Sequence, residues 1–84
     1  MFLEIITPDK KVFSGNVTSV SVPGTNGKFQ MLNRHAPIIS TLVNGNVKVN
    51  TGKETLNYFV KGGVVEMLDN KVTLLAEGID NNKK

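Results

Sequence analysis

Short runs in which apolar and polar residues alternate recur along the chain, each closed by turn-forming residues. A period of two puts one set of side chains on one face of a strand, so the pattern predicts strands half buried against a core. FLEIIT at 2–7 stops at Pro8-Asp9, where proline presets its own φ and aspartate can bond the backbone ahead. KVFSG at 11–15 closes on Gly15. NVTSVSV at 16–22 sets Thr18, Val20 and Val22 against Ser19 and Ser21, and KFQML at 28–32 sets Phe29 and Met31 against Lys28 and Gln30.

Further on, IISTLV at 38–43 runs into Asn44-Gly45, a pair that tolerates positive φ and so predicts a hairpin into NVKVN at 46–50. Residues 51–53 reverse the chain into ETLNYFV at 54–60, where Leu56, Tyr58 and Val60 share a face. Gly62-Gly63 leads to VVEML at 64–68, and Asp69-Asn70 turns into KVTLLAE at 71–77. Val64, Met67, Leu68, Val72 and Leu75 also fit a helical stripe. The turn pair interrupts that stripe and KVTLL is partly β-branched, so two strands are predicted. The reading is an all-β sandwich or flattened barrel of about nine to ten short, mostly antiparallel strands. One domain spans 1–78, followed by a polar, frayed tail at 79–84.

One stretch breaks the rhythm. VPGTNGKFQMLNRHAPIISTL at 22–42 gathers two prolines, two glycines and the only histidine into a connection too long for a hairpin turn. In PGTNGK, Gly24 and Gly27 are expected to supply positive φ. The segment lacks P-loop spacing and no helix follows it, so it does not read as a phosphate cradle. His35 precedes Ala36-Pro37, which biases it towards extended backbone. It reads as a residue pinning its loop through local backbone, as an imidazole at a protein interface, or as both.

Composition narrows the chemistry. Eighty-four residues make one domain, able to bury roughly 60 to 65% of its unfolded surface. The net charge is +3, but the ten Lys and Arg are spread along the chain rather than gathered in a stripe, which argues against nucleic acid. Cysteine is absent, excluding disulfides and thiolate metal sites. MFLEIITPDKK has no signal-peptide pattern, and no apolar stretch reaches the ~20 residues a membrane span needs, so any membrane contact is expected to be indirect. A lone histidine rules out a multi-histidine metal site, and none of Glu4, Asp9, Glu54, Glu66, Asp69, Glu77 and Asp80 reads as one of a desolvated carboxylate pair. The expectation is no catalytic residue, no metal and no cofactor.

Read together, FSGNVTSVSVPGTNGKFQMLNRHAPIISTLVNGNVKV and KGGVVEMLDNKVTLLAE resemble the N-terminal domain of the epsilon subunit of bacterial F-type ATP synthases. The matching elements are Phe13-Ser14-Gly15, the glycine-bearing loop from Pro23 to Gly27, His35-Ala36-Pro37, the run from Gly45 to Val49, and 61–77, in the family's order. Lys28 stands where the family often carries an acid, and Gln30 and Arg34 replace glycines typical of it. The resemblance implies a non-catalytic β-sandwich in the central rotating stalk, coupling c-ring rotation to the gamma subunit during proton-driven ATP synthesis. It implies a c-ring contact at Gly24, Thr25, Asn26, Gly27, Lys28 and Phe29, and a gamma contact at Thr7, His35, Pro37 and Ser40. It also implies a peripheral position on the cytoplasmic face of the bacterial plasma membrane, without membrane insertion. The family's second domain, a C-terminal helical hairpin that can inhibit ATP hydrolysis, is expected to be absent, because the sequence stops at Lys84. The competing reading is a small basic β-barrel that binds single-stranded nucleic acid, which requires exposed aromatics above a positive groove.

Overall fold

Strict alternation in the sequence becomes strand wherever an inward-facing residue finds a core to enter. The computed structural model describes residues 1–80, and these form ten strands and no helix. They are β1 (Phe2–Thr7), β2 (Lys10–Asn16), β3 (Ser19–Gly24), β4 (Gly27–Leu32), β5 (Ile38–Leu42), β6 (Gly45–Asn50), β7 (Thr55–Val60), β8 (Gly63–Leu68), β9 (Lys71–Ala76) and β10 (Ile79–Asp80). The helical stripe through 64–75 is absent: β8 and β9 pair antiparallel across Asp69 and Asn70, both at positive φ (52° and 63°). Those angles are the ones a tight two-residue hairpin requires.

All ten strands belong to one curled sheet, ordered β10-β7-β6-β3-β5-β8-β9-β1-β2, with β4 paired on β3. Only the β1–β9 pair is parallel. The sheet folds over between β3 and β5, joined by the single register pair Gly24↔Leu42. One layer is then β4-β3-β6-β7-β10 and the other β5-β8-β9-β1-β2. Val20, Val22, Met31, Val47, Val49 and Val60 from the first meet Leu3, Ile5, Val65, Met67, Val72, Leu74 and Ala76 from the second in one buried cluster. The shortest dimension of 22 Å fits two sheets about 10 Å apart with side chains outside them. At the far side, an extra residue in β2, Val12, shifts the register between Ile5 and Ile6. Phe13 then reaches Tyr58 of the opposite layer edge-on, at 6.4 Å between ring centres.

Several expectations from the sequence change. Asn44-Gly45 is not a hairpin: β5 pairs with β8 and β3, whereas β6 pairs with β3 and β7. Gly45 is not at positive φ, and a Cβ there would lie 2.8 Å from Pro23 Cβ, so glycine serves close approach rather than turn geometry. The same holds for Gly24, whose Cβ would lie 2.7 Å from both the Gly27 carbonyl oxygen and the Phe29 ring; only Gly27 has the expected positive φ (125°). The run at 16–22 breaks at Val17-Thr18, and the strand after it extends through Pro23 to Gly24. Most of the 22–42 connection is therefore regular, a β3–β4 hairpin closed by Thr25-Asn26, and only 33–37 is irregular. Ile79 and Asp80, assigned to the tail from sequence, pair with Val60 and Phe59 of β7; the rest of the tail lies outside the described residues.

The corner between β7 and β8 is the least forgiving position. Gly63 has φ 137°, and a Cβ on it would overlap the Leu75 carbonyl. Gly63→Ala should cost ~3 kcal/mol or more, because neither the backbone angle nor the space suits a side chain. Gly15→Ala, where a Cβ meets nothing nearer than 3.6 Å, should cost less than about 1 kcal/mol. Urea unfolding of the two variants distinguishes them, and equal losses would remove the close-approach account.

Candidate interaction surfaces

The two layers turn different outer faces to solvent. Outward from β3, β4, β6 and β7 point Ser21, Gln30, Asn46, Lys48 and Asn57, a polar surface with Leu32 and Phe59 as its exposed apolar residues. The other layer presents Ile39 and Thr41 from β5, Val64, Glu66 and Leu68 from β8, Lys71, Thr73 and Leu75 from β9, and Phe2, Glu4 and Ile6 from β1. Ile39 is 72% exposed, Leu68 51% and Leu75 50%. Single exposed apolar residues are ordinary on a protein surface, but a contiguous set on adjacent strands marks an interaction site.

Sequence carried a signal for this face that alternation alone hides. Its strands contain apolar doublets: Phe2-Leu3 and Ile5-Ile6 in β1, Ile38-Ile39 in β5, Val64-Val65 and Met67-Leu68 in β8, Leu74-Leu75 in β9. In each doublet one side chain enters the core and its neighbour points outward. Such runs are typical of strands covered on both faces. β6 alternates strictly by comparison.

Charge on this face is partly neutralised within the chain. The Glu4 carboxylate lies 3.2 Å from Lys11 Nζ and 3.7 Å from Lys71 Nζ, and Lys71 also sits 6.0 Å from the centre of the Phe2 ring. The hydrogen bond from Lys11 holds the Glu4 carboxyl below its ordinary 4.5, against a smaller opposing effect of burial and helped by both lysine charges. On the inner side, burial and then the nearby Glu54 charge push the Tyr58 hydroxyl above its ordinary 10.0.

The residues nominated from sequence fall in three places. Thr25, Asn26, Gly27 and Lys28 form the exposed tip of the β3–β4 hairpin, while Gly24 is buried and Phe29 half-buried against the core. The tip is not free: the Thr25 amide donates to the Thr41 carbonyl at 3.0 Å, and the Thr25 hydroxyl bonds the same carbonyl at 2.9 Å and the Thr41 hydroxyl. His35 and Pro37 are exposed in the irregular loop, with the His35 amide donating to Leu32 and its Nδ1 to the Ala36 carbonyl at 2.9 Å. Histidine thus pins its own loop and remains open to solvent. Arg34 beside it has φ 64°, a conformation that glycine adopts more readily than arginine, and its amide donates to Asn70 Oδ1. Ser40 points inward at mid-strand beside Val65. Thr7 is buried at the opposite end of the layer from His35, its hydroxyl bonded to Asp9 and the Lys10 carbonyl. The four nominated gamma contacts are therefore not one cluster, and the outward residues of β5, β8 and β9 were not among them. Among the described residues, no three His, Cys, Asp or Glu side chains are grouped so as to hold a metal ion.

A sandwich with one polar and one apolar outer face, and a pinned hairpin tip, can be set beside known proteins. The family model of the ATP synthase delta/epsilon chain β-sandwich domain matches residues 1–81. The chain belongs to this family. It is 46% identical over 77 residues to the ATP synthase epsilon chain of Maridesulfovibrio salexigens, covering 92% of this chain and 54% of that relative. With the ATP synthase epsilon chain of Chlorobium limicola it shares 41% identity over 78 residues, covering 92% and 89% respectively. Among solved structures, a chain in the Euglena gracilis mitochondrial ATP synthase assembly of OSCP, F1 and c-ring matches with a TM-score of 0.86 at 18% identity, over 93% of this chain and 51% of that one. A chain in the central stalk and c-ring structure of the Tetrahymena thermophila mitochondrial ATP synthase matches with a TM-score of 0.83 at 16% identity, over 95% and 65%. At that identity the two structures establish the fold, which agrees with the all-β sandwich seen here.

Glu4 provides a pH test of the electrostatics on the apolar face. A carboxyl with a depressed folded-state value stabilises the fold above its ordinary value and loses that contribution as the pH falls through the folded one. Glu4→Gln should therefore be less stable than the parent at pH 7, and the two should converge once the carboxyl is protonated in the folded state. Thermal unfolding across pH 2 to 7 reads this, and a gap persisting at the acid end would show that charge is not its origin.

Proposed function

We propose that this chain is a central-stalk subunit of an F-type ATP synthase, seated between the gamma subunit and the c-ring and coupling ring rotation to gamma during proton-driven ATP synthesis. In that role it works as part of a membrane-associated complex on the cytoplasmic face, binding its neighbours rather than transforming a substrate. Family membership supports the complex. The single observation that carries the gamma contact is the outward half of the apolar doublets on four adjacent strands. A face of that kind is desolvated in a stable interface, its aliphatic residues acting as anchors on either side of the polar row of Glu66, Thr73 and Glu4. His35 and Pro37 border this face beside Ile38 and form part of that rim.

The ring contact is proposed at the hairpin tip, through exposed Asn26 and Lys28. A coupling element needs stiffness more than chemistry. Slipping any strand by one residue would turn its buried set outward, so the sandwich resists shear. The nucleic-acid reading is less well supported, since Phe59 is the one aromatic with substantial exposure among the described residues and the lysines do not gather around it.

Two measurements test the proposal. Ile39→Asp should weaken binding to the isolated gamma subunit by at least about tenfold, as expected for loss of an aliphatic anchor, without altering the fold. Unchanged affinity would remove the face from the interface. Replacing Asn26 and Lys28 together by alanine leaves the Thr25–Thr41 bonds in place. It should lower proton-driven ATP synthesis in vesicles holding the complete complex, while gamma still co-purifies with the chain. Full synthesis in that variant would show that the tip does not engage the ring.

A further inference from the structure

Two carboxylates stand on the apolar outer face, and their circumstances differ. Glu4 is held by Lys11 and Lys71. Glu66, exposed on β8, has no ion pair among the described residues. Its register partner on β5 is Ile39, its partner on β9 is Thr73, and Val64 and Leu68 flank it along its own strand. It is thus a carboxylate without an ion pair, set among the residues that would be covered first. The lysines of the face are both committed to Glu4, and Lys71 is further held over the Phe2 ring.

Depressions lie on either side of Glu66. One of about 360 Å³ is lined by Glu66, Leu68, Asp69, Lys71 and Thr73. The other, of about 250 Å³, is lined by Pro37, Ile38, Ile39, Glu66, Met67 and Leu68. Each is roomy enough for a side chain from a docking partner, and Glu66 borders both.

Resting on the reading that this face binds gamma, we infer that Glu66 is the specificity-determining residue of the interface and that the partner places a cationic side chain, best a guanidinium, directly against it. Covering the face strips water from Glu66, and an unpaired charge in a desolvated patch opposes binding strongly. Apolar contact around it does not compensate; a cation does. A guanidinium suits the site because its planar fork can bond both carboxylate oxygens and its aliphatic stem can lie on Leu68 or Ile39. The ion pair also fixes orientation. An apolar face alone has many near-equivalent seatings, and one charge that must find its partner selects among them. A second copy of this chain fits less well, since its own face would bring Glu66 and two lysines already engaged by Glu4. An anionic lipid surface would be repelled by the same carboxylate.

The test measures binding to the isolated gamma subunit by titration calorimetry at low and high salt. Glu66→Gln keeps size and shape at an exposed position, so its melting temperature should match the parent. Its affinity should fall about thirtyfold or more, and the salt dependence of binding should flatten. Glu66→Lys should bind more weakly still, and exchanging one Lys or Arg of gamma for Glu should restore it. Lys48→Gln, on the opposite polar face, should bind as the parent does. Loss of binding in Ile39→Asp with full binding in Glu66→Gln would overturn the inference and leave the face as the gamma contact. Full binding in both would overturn the two together. A dimer of the chain alone that disappears in Glu66→Gln would also overturn it, assigning the carboxylate to a self-contact.

Discussion

The molecule depends on one place where the sheet doubles back on itself. Between β3 and β5 only Gly24 and Leu42 are paired, flanked by hydrogen bonds from the Val43 amide to the Pro23 carbonyl and from the Thr25 amide to the Thr41 carbonyl. Beside this junction there is no room for a Cβ at Gly24, against the Gly27 carbonyl and the Phe29 ring of β4, or at Gly45, against the Pro23 side chain. Gly63 performs the same service where β8 begins. Without these gaps β4 and β6 could not close on β3, nor β8 on β9. The pairing of these strands is therefore conditional on a few missing methyl groups. That is a constraint of sterics, not of propensity.

Closing the sandwich satisfies one side of each layer and leaves the other exposed, and the two layers resolve this differently. The β3–β6–β7 layer covers its outside with serine, asparagine, glutamine and lysine. The β5–β8–β9–β1 layer does not. Apolar area left in water forgoes roughly 25 cal/mol for each Å² that could be buried, a driving force available to any partner that fits. It is also a hazard, because an apolar β-face can associate indiscriminately. The charges set into the face, Glu4 with its two lysines and Glu66 without one, oppose that. A partner lacking the complementary group meets a desolvated carboxylate.

Much of the fold was legible in the sequence, because strand, turn and inward face are local properties. Val47 and Val49 against Lys48, Phe29 and Met31 against Gln30, and the Asp69-Asn70 turn all follow from period two and from which residues tolerate positive φ. The errors share one cause. Asn44-Gly45 and Gly24 look like turn glycines, yet each answers a backbone or ring that meets it in the folded sheet, and Pro23 lies 22 positions from Gly45 by the numbering. Nothing local separates a glycine needed for its angle from one needed for its size. The Val12 bulge and the short β10 escaped for a similar reason, since both exist through their partners on β1 and β7. The apolar doublets were visible in the sequence, but only the strand order shows that four such strands lie side by side.

Geometry also connects the two proposed contacts. The hairpin tip is tied to Thr41 through backbone and side-chain hydrogen bonds. Thr41 lies in β5, two residues from Ile39, the most exposed of the large apolar residues. A lateral force on the tip is thus delivered to the strand that carries the most exposed residue of the proposed gamma face. β5 cannot yield alone, because it is paired along its length with β8, and β8 with β9. Movement at the tip must then carry the whole layer with it, since a shift of one residue in any of these pairs would bring Met67, Leu74 or Val65 out of the core. A small all-β domain can transmit torque for this reason: the hydrogen bonds that hold its proposed ring-facing tip and the burial that holds its core act on the same strand.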